Sequence, residues 1–226
     1  MKVIIWIPAR GGSTRIKKKN IKPMNGKPLV GWAIEAAQGT DADEIWLDSD
    51  SDEILQVGKE YGINTHERPE EYAGTWSMTE DALLYFTESH DYDAVIMLEC
   101  TCPLINSKDI QGMIDRYKSG GYDSVTLLDK RMLFINRIDE NHCFPVGYDP
   151  FNRKMSQLFR AEDYTYCEAG AYLVDREWLL RSKNRMGGRN GYWIKHDFNY
   201  DIDYIEDFKV VEEYMKWTRN GQVEMN

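Results

Sequence analysis

Short apolar runs alternate along this chain with segments whose apolar residues recur at helical spacing. Val3 to Ile7 is an unbroken apolar run and reads as a buried first strand. Leu29 to Gln38, started by Pro28, has the spacing of a helix. Glu44 to Leu47 is a short strand ending in Asp48-Ser49-Asp50, Asp52 to Tyr61 a second helix, and Ile63 to His66 a third strand. The alternation continues with a helix from Thr79 to Ser89 and a continuous apolar run, Ala94 to Leu98, suited to a central strand. A helix capped by Ser107 and ending at Lys118 comes next, then a strand from Asp123 to Leu128. Gly170 to Val174 and Tyr192 to His196 add two strands, and Ile205, Phe208, Val211 and Met215 mark the inner face of a closing amphipathic helix.

Such alternation predicts an α/β fold, Rossmann-like, with a mainly parallel sheet and helices on both faces, hence three layers. One stretch breaks the pattern. From Lys130 to Thr165, short β-like pieces mix with Pro145, Gly147 and Pro150 without a helical period, which predicts an irregular β-rich excursion from the sheet. With no internal repeat, low-complexity stretch or linker, residues 1–226 are expected to form a single domain.

Composition narrows the function. A chain that is 42% hydrophobic and 12% aromatic has ample material for a core. Its net charge of -10 argues against a nucleic-acid partner, which needs a broad basic surface. The first apolar run is interrupted by Pro8 and Arg10 and is too short for a signal-peptide core or a membrane span, so a cytoplasmic protein with no membrane partner is expected. Cys100, Cys102, Cys143 and Cys167 form no Cys-x-x-Cys pair and have no histidine at zinc-finger spacing, so idle or buried thiols are expected.

Against that acidic background, the segment after the first strand stands apart. It holds Arg10, Arg15, Lys17, Lys18, Lys19, Lys22 and Lys27 with no Asp or Glu among them, and it opens on Gly11-Gly12. Adjacent glycines let backbone N–H groups approach a ligand closely, and fixed cations around such a turn suit a polyphosphate. Neither a Walker loop nor Gly-x-Gly-x-x-Gly is present. In parallel α/β sheets ligands bind beyond the carboxyl ends of the strands. That rule selects the basic loop, Asp48 and Asp50, His66 to Pro69, Glu99 to Pro103, and Asp201-Ile202-Asp203. Asp201 and Asp203 either cap the closing helix or, pointing to the same side of an extended strand end, hold Mg²⁺.

The strings Pro8-Ala9-Arg10-Gly11-Gly12-Ser13, Lys19-Asn20-Ile21 and Gly26-Lys27-Pro28-Leu29 closely resemble the opening of the acylneuraminate cytidylyltransferases. Asp50-Ser51-Asp52-Glu53-Ile54, Arg68-Pro69-Glu70, Thr101 with Pro103-Leu104, and Asp201-Ile202-Asp203 followed by Asp207 extend the resemblance to about residue 215. It implies a nucleotidyltransferase fold and activation of a sugar acid by CTP, giving a CMP-sugar and pyrophosphate for surface glycan biosynthesis. It also implies site roles. Ala9, Arg10, Gly11, Gly12, Ser13 and Lys19 would bind the triphosphate, with Arg10 and Lys19 as catalytic cations and Lys19 neutralising the leaving group. Asn20 and Arg68 would meet the base, and Asp201 and Asp203 would hold Mg²⁺, Asp203 acting in catalysis. Glu99, Thr101 and Glu168 would face the acceptor sugar. A homodimer formed through the 130–165 excursion is implied as well.

There are departures from the family pattern. Glu99 stands for a glutamine, Cys100 for a proline, Cys102 for a serine and Ile105 for an arginine; Cys167-Glu168-Ala169-Gly170 replaces Arg-x-x-Gly. With Glu99, Ile105 and Glu168 on the acceptor side, an amino-bearing sugar acid is one expectation. Three alternatives stand beside the main reading. They are a cytidylyltransferase for eight-carbon ulosonic acids, whose first loop Ser13-Thr14-Arg15 resembles; a glycosyltransferase using Asp48-x-Asp50 for metal; and a non-catalytic nucleotide-binding homologue.

Overall fold

The strand residues sort by parity into two cores, and this sorting builds the layers. The computed structural model describes residues 1–219 apart from 75 and 132, so one residue of the expected excursion and the last seven of the chain lie outside it. The strands are β1 (Val3–Pro8), β2 (Pro23–Met24), β3 (Lys27–Pro28), β4 (Glu44–Ser49), β5 (Asn64–Glu67), β6 (Ala94–Leu98), β7 (Ser124–Arg131), β8 (Ile135–Ile138), β9 (Cys143–Val146), β10 (Thr165–Asp175) and β11 (Asn190–Lys195). The helices are α1 (Leu29–Gln38), α2 (Asp52–Glu60), α3 (Thr79–Ser89), α4 (Ser107–Lys118), α5 (Arg176–Ser182) and α6 (Ile205–Arg219). Val3, Ile5 and Ile7 of β1 and Ala94, Ile96 and Leu98 of β6 face a core closed by α1 and α4. Ile4 and Trp6, with Val95 and Met97, face the opposite core closed by α3 and α5. A third cluster seats Phe208, Val211 and Met215 of α6 on Ile16, Met24 and Leu29.

Seven strands form the main sheet in the order β11-β7-β10-β6-β1-β4-β5. β1 pairs in parallel with β4 and β6, β4 with β5, and β7 with β11. The expected parallel pairing is corrected at one place, because β10 runs antiparallel to both β6 and β7. Hydrophobic patterning sets which residues are buried but not the direction of a strand, and the long return from β7 lets β10 enter from the same edge that β7 leaves. Six strand carboxyl ends and the amino end of β10 therefore meet along one edge.

The excursion holds the β8–β9 hairpin and two single-turn helices at Ser156–Leu158 and Ala161–Asp163. Its apolar side chains are left outside the cores: Ile138, Phe144, Val146, Phe151 and Leu158 are all exposed.

Three local expectations are corrected. The cap of α4 is Asn106, not Ser107: the Asn106 side chain accepts from the N–H groups of Lys108 and Asp109, and Asp109 accepts from the Asn106 N–H in return. Ile205 is exposed at the mouth of α6, and the buried residue near there is Ile202, just before the helix. The carboxylate at the start of α6 is Asp207, whose Oδ2 accepts from the N–H groups of Asp203 and Tyr204 at 3.0 and 2.7 Å. Asp207 thus takes the capping role that was the alternative to metal binding for Asp201 and Asp203.

Candidate active site

The loop after β1 is folded back by backbone contacts that its own residues make with the turn after β4. Ala9 N–H donates to the Asp48 carbonyl at 2.9 Å, and Gly11 N–H donates to Asp50 Oδ1 at 2.7 Å. Gly11 sits so close to that turn that a Cβ on it would lie 2.9 Å from the Ser51 Cβ, whereas Gly12 has open space around it. The Gly11 N–H is consequently spent on Asp50, and glycine is required there for close approach. Asn20 is buried and holds the loop from below: its Nδ2 donates to the Arg10 carbonyl at 2.9 Å, and the Cys100 thiol donates to its Oδ1 at 3.4 Å. Burial pushes that thiol up to about 12, so it remains a donor at neutral pH.

The seven cations separate by environment, and Lys17 is simply exposed. Lys18 pairs with Glu53, Lys27 pairs with Glu35 over the Trp32 ring, and Lys22 lies over the Phe208 ring. Arg10, Arg15 and Lys19 line a cavity of about 270 Å³ together with Ser13, Asn20, Arg68, Glu99, Thr101 and Asp203. Lys19 Nζ donates to the Ile202 carbonyl at 2.6 Å, and Arg15 pairs with Asp203 at 2.7 Å, which ties the basic loop to the segment before α6. Ala9 is buried in the core and, with Gly11 and Gly12, does not line this cavity.

Arg68 is held from behind. Asp48 is fully buried, with one carboxylate oxygen on Arg68 Nε and the other 2.8 Å from His66 Nδ1, and the guanidinium lies over the Trp6 ring. Removing one partner of a buried ion pair typically costs about 3–5 kcal/mol. Asp48, the first acid of Asp48-x-Asp50, therefore has both carboxylate oxygens on protein donors, which argues against the metal motif of the glycosyltransferase alternative.

Glu99 separates this cavity from a second one of about 500 Å³, lined among others by Cys102, Asp129, Arg131, Glu168, Tyr172, Asn199 and Asp201. Tyr172 hydroxyl donates to Glu168 at 2.7 Å. Arg131 pairs with Asp129 at 2.6 Å and donates to the Asn199 carbonyl at the same distance. Asp201 opens on this second cavity and Asp203 on the first, so the two expected metal ligands point to different spaces. Ile105 lies in the main core at 4% exposure and faces neither cavity, which corrects its expected place on the acceptor side.

Sequence reasoning missed Arg131, Asp129 and Asn199 as lining residues, and named Arg15 only as one cation of the basic loop. Extending the strand-end rule to the strand predicted at Asp123 to Leu128 points straight at Asp129 and Arg131. The second cavity thus has a cation from β7 that offsets part of the acidity of Glu99 and Glu168.

Burial, and secondarily the charge of Asp201, raise Glu99 to about 7 from an ordinary value of 4.5. A carboxyl raised on folding binds its proton more tightly in the native state. Its stabilising effect is fully present below about pH 4.5 and is lost as pH rises through about 7. Metal-free protein should accordingly lose thermal stability between pH 5 and pH 8, and a Glu99→Gln variant should lose less. Equal slopes of midpoint against pH in the two proteins would remove this assignment.

The sequence matches the family profile described as cytidylyltransferase over residues 4–218. N-acylneuraminate cytidylyltransferase A of Danio rerio is 29% identical over 214 residues, a match covering 92% of this chain and 49% of that protein. The chain spans about half the length of several curated relatives of that name. Pseudaminic acid cytidylyltransferase of Campylobacter jejuni serotype O:23/36 is 35% identical over 224 residues, covering 92% of this chain and 94% of that one. Among solved structures, a CMP:2-keto-3-deoxy-manno-octonic acid synthetase complexed with CTP shares the fold. Its TM-score is 0.75 over 96% of this chain and 100% of that one, at 17% identity. No helix among the described residues is long and apolar enough to cross a membrane. The strand-end cavity, its basic loop and the match along nearly the whole sequence agree, and the chain belongs to the cytidylyltransferase family.

Proposed function

We propose that this chain activates a sugar acid of the nonulosonic or ulosonic class with CTP, releasing pyrophosphate and forming a CMP-sugar. The observation that carries the reading is the pair of cavities joined at Glu99: one is lined by Arg10, Arg15 and Lys19, the other by Arg131 and a set of carboxylates. The first suits a triphosphate and the second an anionic polyol, so an acceptor hydroxyl would meet the α-phosphate near the junction.

In this reading Arg10 and Lys19 fix the triphosphate, and Lys19 offsets charge on the departing pyrophosphate. Asn20 and Arg68 are held rigidly at the cavity wall, which supports a role in positioning the base. Arg131 pairs with the acceptor carboxylate, while Thr101, Glu99 and Glu168 face its polar groups.

Mg²⁺ fits the donor set, because carboxylate oxygens of Asp201 and Glu99 lie within 4.8 Å of each other and hard cations prefer such ligands. Asp203 faces the first cavity and is paired with Arg15, so as a ligand it would serve an ion on the nucleotide side. When bound, the ion would neutralise phosphoryl charge and lower the pKa of the attacking hydroxyl.

Residues 1–226 would act as one catalytic unit. Four unpaired cysteines suit a reducing cytoplasm, and the exposed apolar arm from β8 to Leu158 suits burial against a second copy in a homodimer. The test incubates the protein with each nucleoside triphosphate, Mg²⁺ and a panel of nonulosonic and ulosonic acids, and follows pyrophosphate. Release only when CTP and an acid are both present is expected. No release with any pair, or release that needs no acid, would overturn the reading.

A further inference from the structure

Arg131 shares the second cavity with the carboxylates of Glu99, Asp129, Glu168 and Asp201, so a flexible guanidinium there has several places to go. The structure commits it to one. Arg131 Nη2 lies 2.6 Å from Asp129 Oδ2 and donates to the Asn199 carbonyl at the same distance, and the guanidinium carbon is 5.8 Å from the centre of the Phe198 ring. Among the described residues Nε and Nη1 have no hydrogen-bond partner, so donors remain for a ligand after the side chain has been fixed. We propose that Asp129 is a positioning residue that aims Arg131 at the carboxylate of the acceptor, with Lys195 behind it as the charge that keeps Asp129 in place. The assignment rests on the reading of the second cavity as the acceptor site.

Strand register builds the support. Asp129 on β7 is paired in register with Lys195 on β11, and neighbours so paired project to the same face of the sheet. Lys195 is only 1% exposed. Its Nζ donates at 2.9 Å to Asp109 Oδ2, the carboxylate oxygen that also accepts from the Asn106 N–H in the cap of α4. Charges therefore alternate from the cavity wall inward, in the order Arg131, Asp129, Lys195, Asp109. Asp129, Lys195 and Asp109 are all buried, and removing one partner of a buried ion pair typically costs about 3–5 kcal/mol, so the row resists rearrangement. Burial raises the Asp129 carboxyl above its ordinary value, and Arg131 and Lys195 oppose that shift.

A carboxylate beside an arginine can also act as a rival, neutralising it against an incoming anion. Here positioning outweighs rivalry for two reasons. Lys195 returns to the row the charge that Asp129 takes from Arg131. Immobilising a long side chain on binding costs about 0.5–1.5 kcal/mol, and Asp129 and Asn199 remove that cost in advance. Without Asp129, moreover, Glu99, Glu168 and Asp201 would compete for the freed guanidinium.

The test is a double-mutant cycle read as the KM for the acid. Wild-type protein, CTP and Mg²⁺ are combined with N-acetylneuraminate, pseudaminate or 2-keto-3-deoxy-manno-octonate, and the acid turned over fastest serves throughout. Asp129→Asn should raise the KM for that acid about tenfold, equivalent to ~1.4 kcal/mol, and leave the KM for CTP within about twofold. Arg131→Met should raise it at least as far. Adding Asp129→Asn to Arg131→Met should raise it no further, because no guanidinium is left to aim. A purely structural Asp129 would cost the same in both backgrounds and disturb both KM values. Circular dichroism confirms that each variant is folded. If Asp129→Asn does not fold, Asp129→Glu, which keeps the charge but displaces it by one methylene, takes its place with the same expectation. An unchanged or lowered KM for the acid in the Asp129 variant, equal rises for acid and CTP, or additive effects in the double variant would overturn the proposal and leave the proposed function standing. A wild-type protein that turns over none of the three acids would overturn that function, and this assignment with it.

Discussion

An Asp201→Asn variant is expected to release pyrophosphate from CTP about a hundredfold or more slowly than the wild-type protein, equivalent to about 2.7 kcal/mol of lost transition-state stabilisation. Asp201 is exposed and faces the cleft, so the change removes a charged donor without opening a core cavity. Its thermal midpoint should stay close to that of the wild type. Asp203→Asn should show a comparable loss with one addition. It also frees Arg15, which Asp203 holds at 2.7 Å, so the KM for CTP should change along with kcat. Near-normal turnover in Asp201→Asn would take this carboxylate out of the catalytic apparatus.

The second large effect belongs to Lys19. Its Nζ reaches across from the basic loop to the Ile202 carbonyl and lines the cavity beside Arg10 and Arg15. Removal of a single donor that stabilises developing charge commonly slows a reaction by about 10²–10³-fold, and Lys19→Ala is expected to fall in that range. Lys17→Ala and Lys18→Ala form the contrast. Lys17 is exposed and Lys18 is paired with Glu53, and neither lines the cavity, so each should produce only a modest, salt-sensitive loss of on-rate. Steady-state kinetics at two ionic strengths separate the cases. Equal losses at all three positions would mean that the loop acts as a diffuse field.

The elements with strong periodicity were legible in advance: β1, α1, α3 and β6 fall where the apolar spacing puts them. Local chemistry also marked the basic loop and the strand-end acids. The sequence is less informative wherever a partner lies far along the chain. Arg68 is expected to meet the base, but nothing near it in the sequence points to the residue that holds it, and only the fold shows it buried on Asp48, twenty positions earlier. Ile105 was assigned to the acceptor side by alignment to a pattern, yet its apolar character already favoured the core. Ser107 and Asn106 are both good capping residues, and the choice between them depends on a backbone angle that composition does not carry. The direction of β10 was invisible for the same reason, since a buried strand has the same apolar run whichever way it points.

That reversed strand has a consequence for how the protein can change. The segment after Arg131 returns at Thr165, directly opposite it in register, so the sheet sees the whole arm as the tip of an ordinary hairpin. Lengthening or replacing such a tip adds little closure entropy, which grows only with the logarithm of loop length, and leaves the parallel strands untouched. Asp129, Arg131, Cys167 and Glu168 stand at the root of that hairpin, on the wall of the second cavity, while the basic loop follows β1, away from it. The wall of the second cavity and the exposed arm can thus be remodelled together through one insertion, with the wall of the first cavity held constant.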